Sequence, residues 1–72
     1  METGKVIIHV RFAPDGSVVE IGERPTGLTP QDWFNRLSEN AGTHYQAFAG
    51  GRGVFRITRA SIDALKAVPT LG

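Results

Sequence analysis

Two residues in this 72-residue sequence, His9 and His44, are of the type that serves as acid and base near neutrality, and any acid-base chemistry would have to start from them. A nucleophilic centre needs a Ser, Thr or Cys held against such a base and oriented by a third group. Ser17 falls in a turn segment, Ser38 in a helical one and Ser61 at a helix start, and no GxSxG elbow surrounds any of them. Glu20 and Glu23 lie three apart along a strand end and point different ways, so they do not form an acid-base pair. A metal site would need three or four ligands, yet no HxH, HExxH or carboxylate cluster joins His9 to His44. The expectation is a protein that is not an enzyme, with no catalytic residues, no metal site and no cofactor.

What remains is recognition. Gly50-Gly51-Arg52-Gly53 offers bare backbone amides and one cation, making Arg52 a candidate anion contact. Its setting between two apparent antiparallel strands reads as a hairpin tip, because a phosphate-binding loop of the GxxxxGK[ST] type has to open a helix. Tyr45, set among Arg11, Arg52 and Arg56, has the makings of a stacking residue beside phosphate contacts.

The elements that must position these groups are legible. Val6, Ile8, Val10 and Phe12 alternate with Lys5, Ile7, His9 and Arg11, the period of a strand. Ala13-Pro14-Asp15-Gly16 supplies a turn, and Val18 to about Glu23 returns. Thr29-Pro30-Gln31-Asp32 starts a helix with Thr as N-cap and Pro at its first position, Leu28 and Trp33 forming a hydrophobic staple. Trp33, Phe34, Leu37 and Ala41 recur at helical spacing, and Gly42 is placed to end the helix in a left-handed conformation. Tyr45 to Ala49 and Val54 to Thr58 read as a second hairpin. Thr58 caps a final helix with Ile57 and Ile62 as its staple, Ile62, Leu65 and Val68 as its buried stripe and Pro69 as its end.

Phe12-Ala13, Val18 and Ile21 recur as Phe48-Ala49, Val54 and Ile57, half the chain away. The fold class is therefore α+β, one domain over residues 1–72. It is expected to hold a four-stranded antiparallel sheet with two helices on one face, order ββαββα, as two related ββα units at about 5–41 and 44–68. Transferring sidedness through the repeat puts Val19, Ile21, Phe48, Phe55 and Ile57 beneath the helices. The open face would then carry Ile7, His9, Arg11, Val18, Glu20, Tyr45, Ala47, Val54 and Arg56. Trp33, at a helix start, is either core or an anchor for a partner.

Composition bounds the partners. A chain this short removes only about 60% of its unfolded surface from water, and without cysteine its core supplies roughly 3–5 kcal/mol. The net charge of +1 argues against a protein built to wrap a polyanion. Residues 1–39 nonetheless carry four cations against six carboxylates, whereas residues 40–72 carry Arg52, Arg56, Arg59 and Lys66 against Asp63 alone. The opening METGKVIIHV lacks a signal-peptide pattern and no apolar run spans a bilayer, so the expectation is a soluble, cytoplasmic protein with no membrane partner. A mixed sheet face of this kind is improved by being covered. The sequence reading is a non-catalytic protein-protein interaction module that self-associates as a homo-oligomer through Ile7, His9, Arg11, Val18, Tyr45, Val54 and Arg56. Weak binding of RNA or single-stranded DNA through Tyr45 and the hairpin arginines is the alternative.

Overall fold

The structure, a computed structural model, describes residues 5–67. Its strands are β1 (Lys5–Phe12), β2 (Val18–Ile21), β3 (Tyr45–Phe48) and β4 (Arg52–Thr58), and its helices α1 (Pro30–Ala41) and α2 (Arg59–Lys66). All pairings are antiparallel, in the spatial order β2-β1-β4-β3. The expected ββαββα arrangement is what the chain adopts.

Local chemistry fixes most element ends. In the first turn Gly16 N–H donates to the Ala13 carbonyl at 2.9 Å with Gly16 at φ +91°, while Asp15 Oδ1 accepts from both the amide and the hydroxyl of Ser17 (2.9 and 2.7 Å). Those two bonds hold the Asp15 carboxyl below its ordinary pKa. Thr29 Oγ1 accepts from Asp32 N–H (3.1 Å) and Thr58 Oγ1 from Ser61 N–H (3.2 Å), so both helices are capped as their sequences require. Both staples form as well, since Leu28, Trp33, Ile57 and Ile62 are all buried. Gly42 departs from expectation. It stays right-handed (φ −61°, ψ −28°) and leads into a 3-10 turn over Gly42–His44, so the helix ends by tightening instead of by reversing hand. Val68 and Pro69 lie outside the described residues.

The core fills the space between one sheet face and the helices. Ile8, Val10, Ile21, Phe55 and Ile57 meet Leu28, Trp33, Leu37, Ala41 and Ile62, with Val6, Phe12, Phe34, Tyr45 and Leu65 at the margin. Trp33 is fully buried and its indole N–H donates to the Gly22 carbonyl at 3.0 Å, which makes it core and not a partner anchor. The two helices are tied where Arg36 Nη1 donates to the Leu65 carbonyl at 3.0 Å.

Two strands turn out differently from the repeat-based reading. In β2 the register runs Val10↔Ile21, Arg11↔Glu20 and then Phe12↔Val18, so Val19 is an extra residue, a β-bulge. The bulge turns Val18 inward, where it is buried, and leaves Val19 exposed. In β3 the pairing Tyr45↔Phe55 and Phe48↔Arg52 puts Tyr45 under α1 and Phe48 on the open face. No bulge interrupts the β4 ladder, so transferring sidedness between the units fails at Val18, Val19, Tyr45, Ala47 and Phe48.

Tyr45 is held by a glycine. Its ring lies across Gly53, where a Cβ would come within 2.7 Å of two ring carbons, and it packs 4.9 Å centroid to centroid against Phe55 and 5.8 Å against Phe34. An aromatic ring covering a strand glycine recovers the packing that the missing side chain forgoes.

The link from β2 to α1 is secured electrostatically. Glu23 is the one described non-glycine residue at positive φ (63°), and its carboxylate accepts two bonds from Arg59 (2.9 Å each) and one from Lys66 Nζ (2.8 Å). Hydrogen bonds to those cations pull its pKa down to about 2. A carboxyl depressed in the folded state stabilises above its unfolded value of 4.5 and loses that contribution as pH falls toward 2. Glu23→Gln should therefore cost about 1 kcal/mol at neutral pH, measured by urea unfolding, and the gap between variant and wild type should close on acidification from pH 4.5 toward 2. Gly53→Ala should cost about 1–3 kcal/mol by forcing the Tyr45 ring off β4.

Candidate functional site

The face turned away from the helices is read row by row from the strand register. One row across the sheet is Phe48, Arg52, Arg11 and Glu20; the next is Gln46, Val54 and His9; then Arg56 and Ile7; then Thr58 and Lys5. Of the expected surface residues, the structure brings Ile7, His9, Arg11, Val54 and Arg56 together on this face. Arg52, expected as an anion contact at a hairpin tip, begins β4 and stands beside them.

Three members of the expected open face are absent from it, Ala47 because it pairs with Gly53 on the helix side. Val18 is turned into the core by the bulge. Tyr45 is held beneath α1 by the aromatic cluster, and burial pushes its phenol above the ordinary tyrosine pKa. Phe48 takes the place intended for Tyr45 and is 45% exposed, as Ile7 is at 51%. The signal that would have found it is the three-residue loop Ala49-Gly50-Gly51. With Gly50 and Gly51 at φ +81° and +72°, this loop closes the hairpin on Phe48↔Arg52.

The face has relief. His9, Arg11, Glu20, Phe48, Arg52 and Val54 surround a shallow depression of about 710 Å³. Val54 is its apolar floor, only 4% exposed, on the face away from the helices with His9 and Gln46 as its cross-strand neighbours. Arg56 Nη1 donates to Gln46 Oε1 at 2.7 Å along one side, and Arg11 Nη2 meets Glu20 Oε1 at 2.6 Å on the other.

Charge on this face is one-sided. Among the described residues Lys5, Arg11, Arg52 and Arg56 stand there against Glu20 alone, a net +3, whereas the other described charged residues sum to −1. Arg11 and Arg52 are cross-strand neighbours, a like-charged pairing that costs stability. No described carboxylate pairs with Lys5, Arg52 or Arg56. The near-neutral total conceals a cationic face backed by a helical layer whose charges cancel, Asp32, Glu39 and Asp63 against Arg36, Arg59 and Lys66.

His9 and His44 do not meet, since β4 lies between β1 and the strand that His44 precedes. Among the described residues no three His, Cys, Asp or Glu side chains cluster to hold a metal ion, and no helix is long and apolar enough to cross a membrane. Searches of protein-family models, curated proteins and solved structures return no match to this chain.

The assignment of the two rings is directly testable by denaturation. Tyr45→Ala should cost about 2–3 kcal/mol, because it empties a space between Phe34 and Phe55. Phe48→Ala should change stability by less than about 1 kcal/mol. The opposite ranking would refute the register described for β3.

Proposed function

We propose that this chain is a non-catalytic interaction module, that its working surface is the open face of the sheet, and that what it binds is acidic. The observation that carries the reading is the sorting of charge on that face: four cations and one carboxylate frame exposed Ile7 and Phe48 and the Val54 floor. Apolar groups within a field of one sign favour a partner of the opposite sign, which gains from both contacts and is drawn in by the potential.

The same sorting bears on self-association. Two copies stacked through this face would oppose net +3 to net +3. The strands hold 8, 4, 4 and 7 residues, and at about 3.3 Å rise and 4.8 Å spacing they present roughly 350–400 Å² in projection. A stable interface of standard size buries about 800 Å² on each partner. Charge and area together favour a dissimilar acidic partner over a second copy.

Amide chemical shifts recorded during titration with hexaglutamate at low salt provide the test. The expected perturbations follow Lys5, Ile7, His9, Arg52 and Arg56, fade as salt is added and vanish in Arg56→Glu. Shifts confined to α1 and α2 would overturn the choice of surface. Light scattering from micromolar to millimolar protein should report a monomer. A dimer abolished by Ile7→Glu would reinstate pairing of two copies through the sheet.

A further inference from the structure

Resting on the reading of the open face as an acidic-partner surface, we infer that its occupant is a single strand of nucleic acid. Three features of the face select this partner over an acidic protein segment.

The first is the spread of the cations. Arg11 and Arg52 stand together at one end of the β1–β4 pair, Lys5 and Arg56 toward the other, and six residue steps along β1 carry the chain from Lys5 to Arg11, about 20 Å. A recess lined by Lys5, His44, Gln46 and Arg56 continues the track past the sheet margin. One carboxylate would satisfy one end of such a track. A chain with regularly repeated negative charge satisfies both, and a phosphodiester backbone has that property.

The second is the rings. Phe48 is exposed immediately beside Arg52 at the lip of the depression, and His9 lies on the same face one row away. Flat rings interleaved with guanidinium groups on an open sheet are stacking surfaces for bases, tolerant of sequence because every base has a π-face. The third is size. A face of a few hundred Å² is small for a protein partner but fits a short stretch of single strand, on the order of four nucleotides. A duplex keeps its bases stacked on one another, so it would leave Phe48 unused.

The measurement is fluorescence anisotropy of end-labelled octamers of uridine and of thymidine with the full chain, against labelled octaglutamate and duplex RNA. The single strands should bind at least about tenfold more tightly than octaglutamate. With three to four cations engaged, log K against log salt should fall with a slope of about −2 to −3. Phe48→Leu keeps the apolar bulk and removes the ring, and it should weaken the single strands about tenfold while leaving octaglutamate unchanged. Phe48→Trp should restore or improve binding. Equal affinity for octaglutamate, or indifference to Phe48→Leu, would overturn the nucleic-acid assignment and leave the acidic-partner face standing. Failure of every anion to bind at low salt would overturn both. Uridine against thymidine distinguishes RNA from DNA preference, and tighter binding of the duplex would refute the stacking mode.

Discussion

The pairing of β1 with β4 is the constraint on which the rest of the molecule depends. It runs without interruption from Lys5↔Thr58 to Arg11↔Arg52, joining residues from the two ends of the chain in the middle of the sheet. In this register Ile8, Val10, Phe55 and Ile57 look toward the helices, while Ile7, His9, Arg11, Arg52, Val54 and Arg56 share the other face. Because side chains alternate with period two, a slip by one residue would bury the arginines and expose the core. The two hairpins are local, but neither has a core until this non-local contact brings both under α1 and α2.

With that register set, polar groups divide between structural and solvent-facing roles. On the helical side the cations have structural partners: Arg59 and Lys66 converge on Glu23, Arg24 reaches the Leu28 carbonyl at 2.6 Å, and Arg36 reaches Leu65. These contacts fix the crossing from β2 to α1 and the seating of α2 on a thin core. On the open side Arg11 has Glu20 and Arg56 has the neutral Gln46, while Lys5 and Arg52 meet no carboxylate among the described residues. A small domain that leaves like charges opposed across two central strands gives up stability at that surface. Natural proteins accept such losses mainly where a surface has work to do.

The edges of the sheet follow the same economy. β2 is four residues long, bulged at Val19, and its Val18 amide is taken up by Gln31 Oε1 at 2.9 Å. Those features blunt it as a template for another strand. β3 is equally short and is anchored through Tyr45, whose ring packs over Gly53. Both edge strands are tied to the α1 side of the molecule, which leaves the broad face of β1 and β4 as the continuous surface on the other side.

The sequence by itself determined the element order, the N-caps and the staples, because these depend on residues a few positions apart: Thr29 and Asp32, Thr58 and Ser61, Leu28 and Trp33. Strict alternation in β1 was enough to assign Ile7, His9 and Arg11 to the open face. Only the tertiary structure decided the sides of β2 and β3. A bulge depends on how two strands meet, and no alternation within Val18-Val19-Glu20-Ile21 reveals which residue is the extra one. The exchange of Tyr45 for Phe48 likewise turned on a glycine in the neighbouring strand that admits one ring into the core, and on a loop short enough to pair Phe48 with Arg52. The clustering of cations was also beyond sequence reach, since Lys5 and Arg56 lie at opposite ends of the chain until β1 and β4 are aligned.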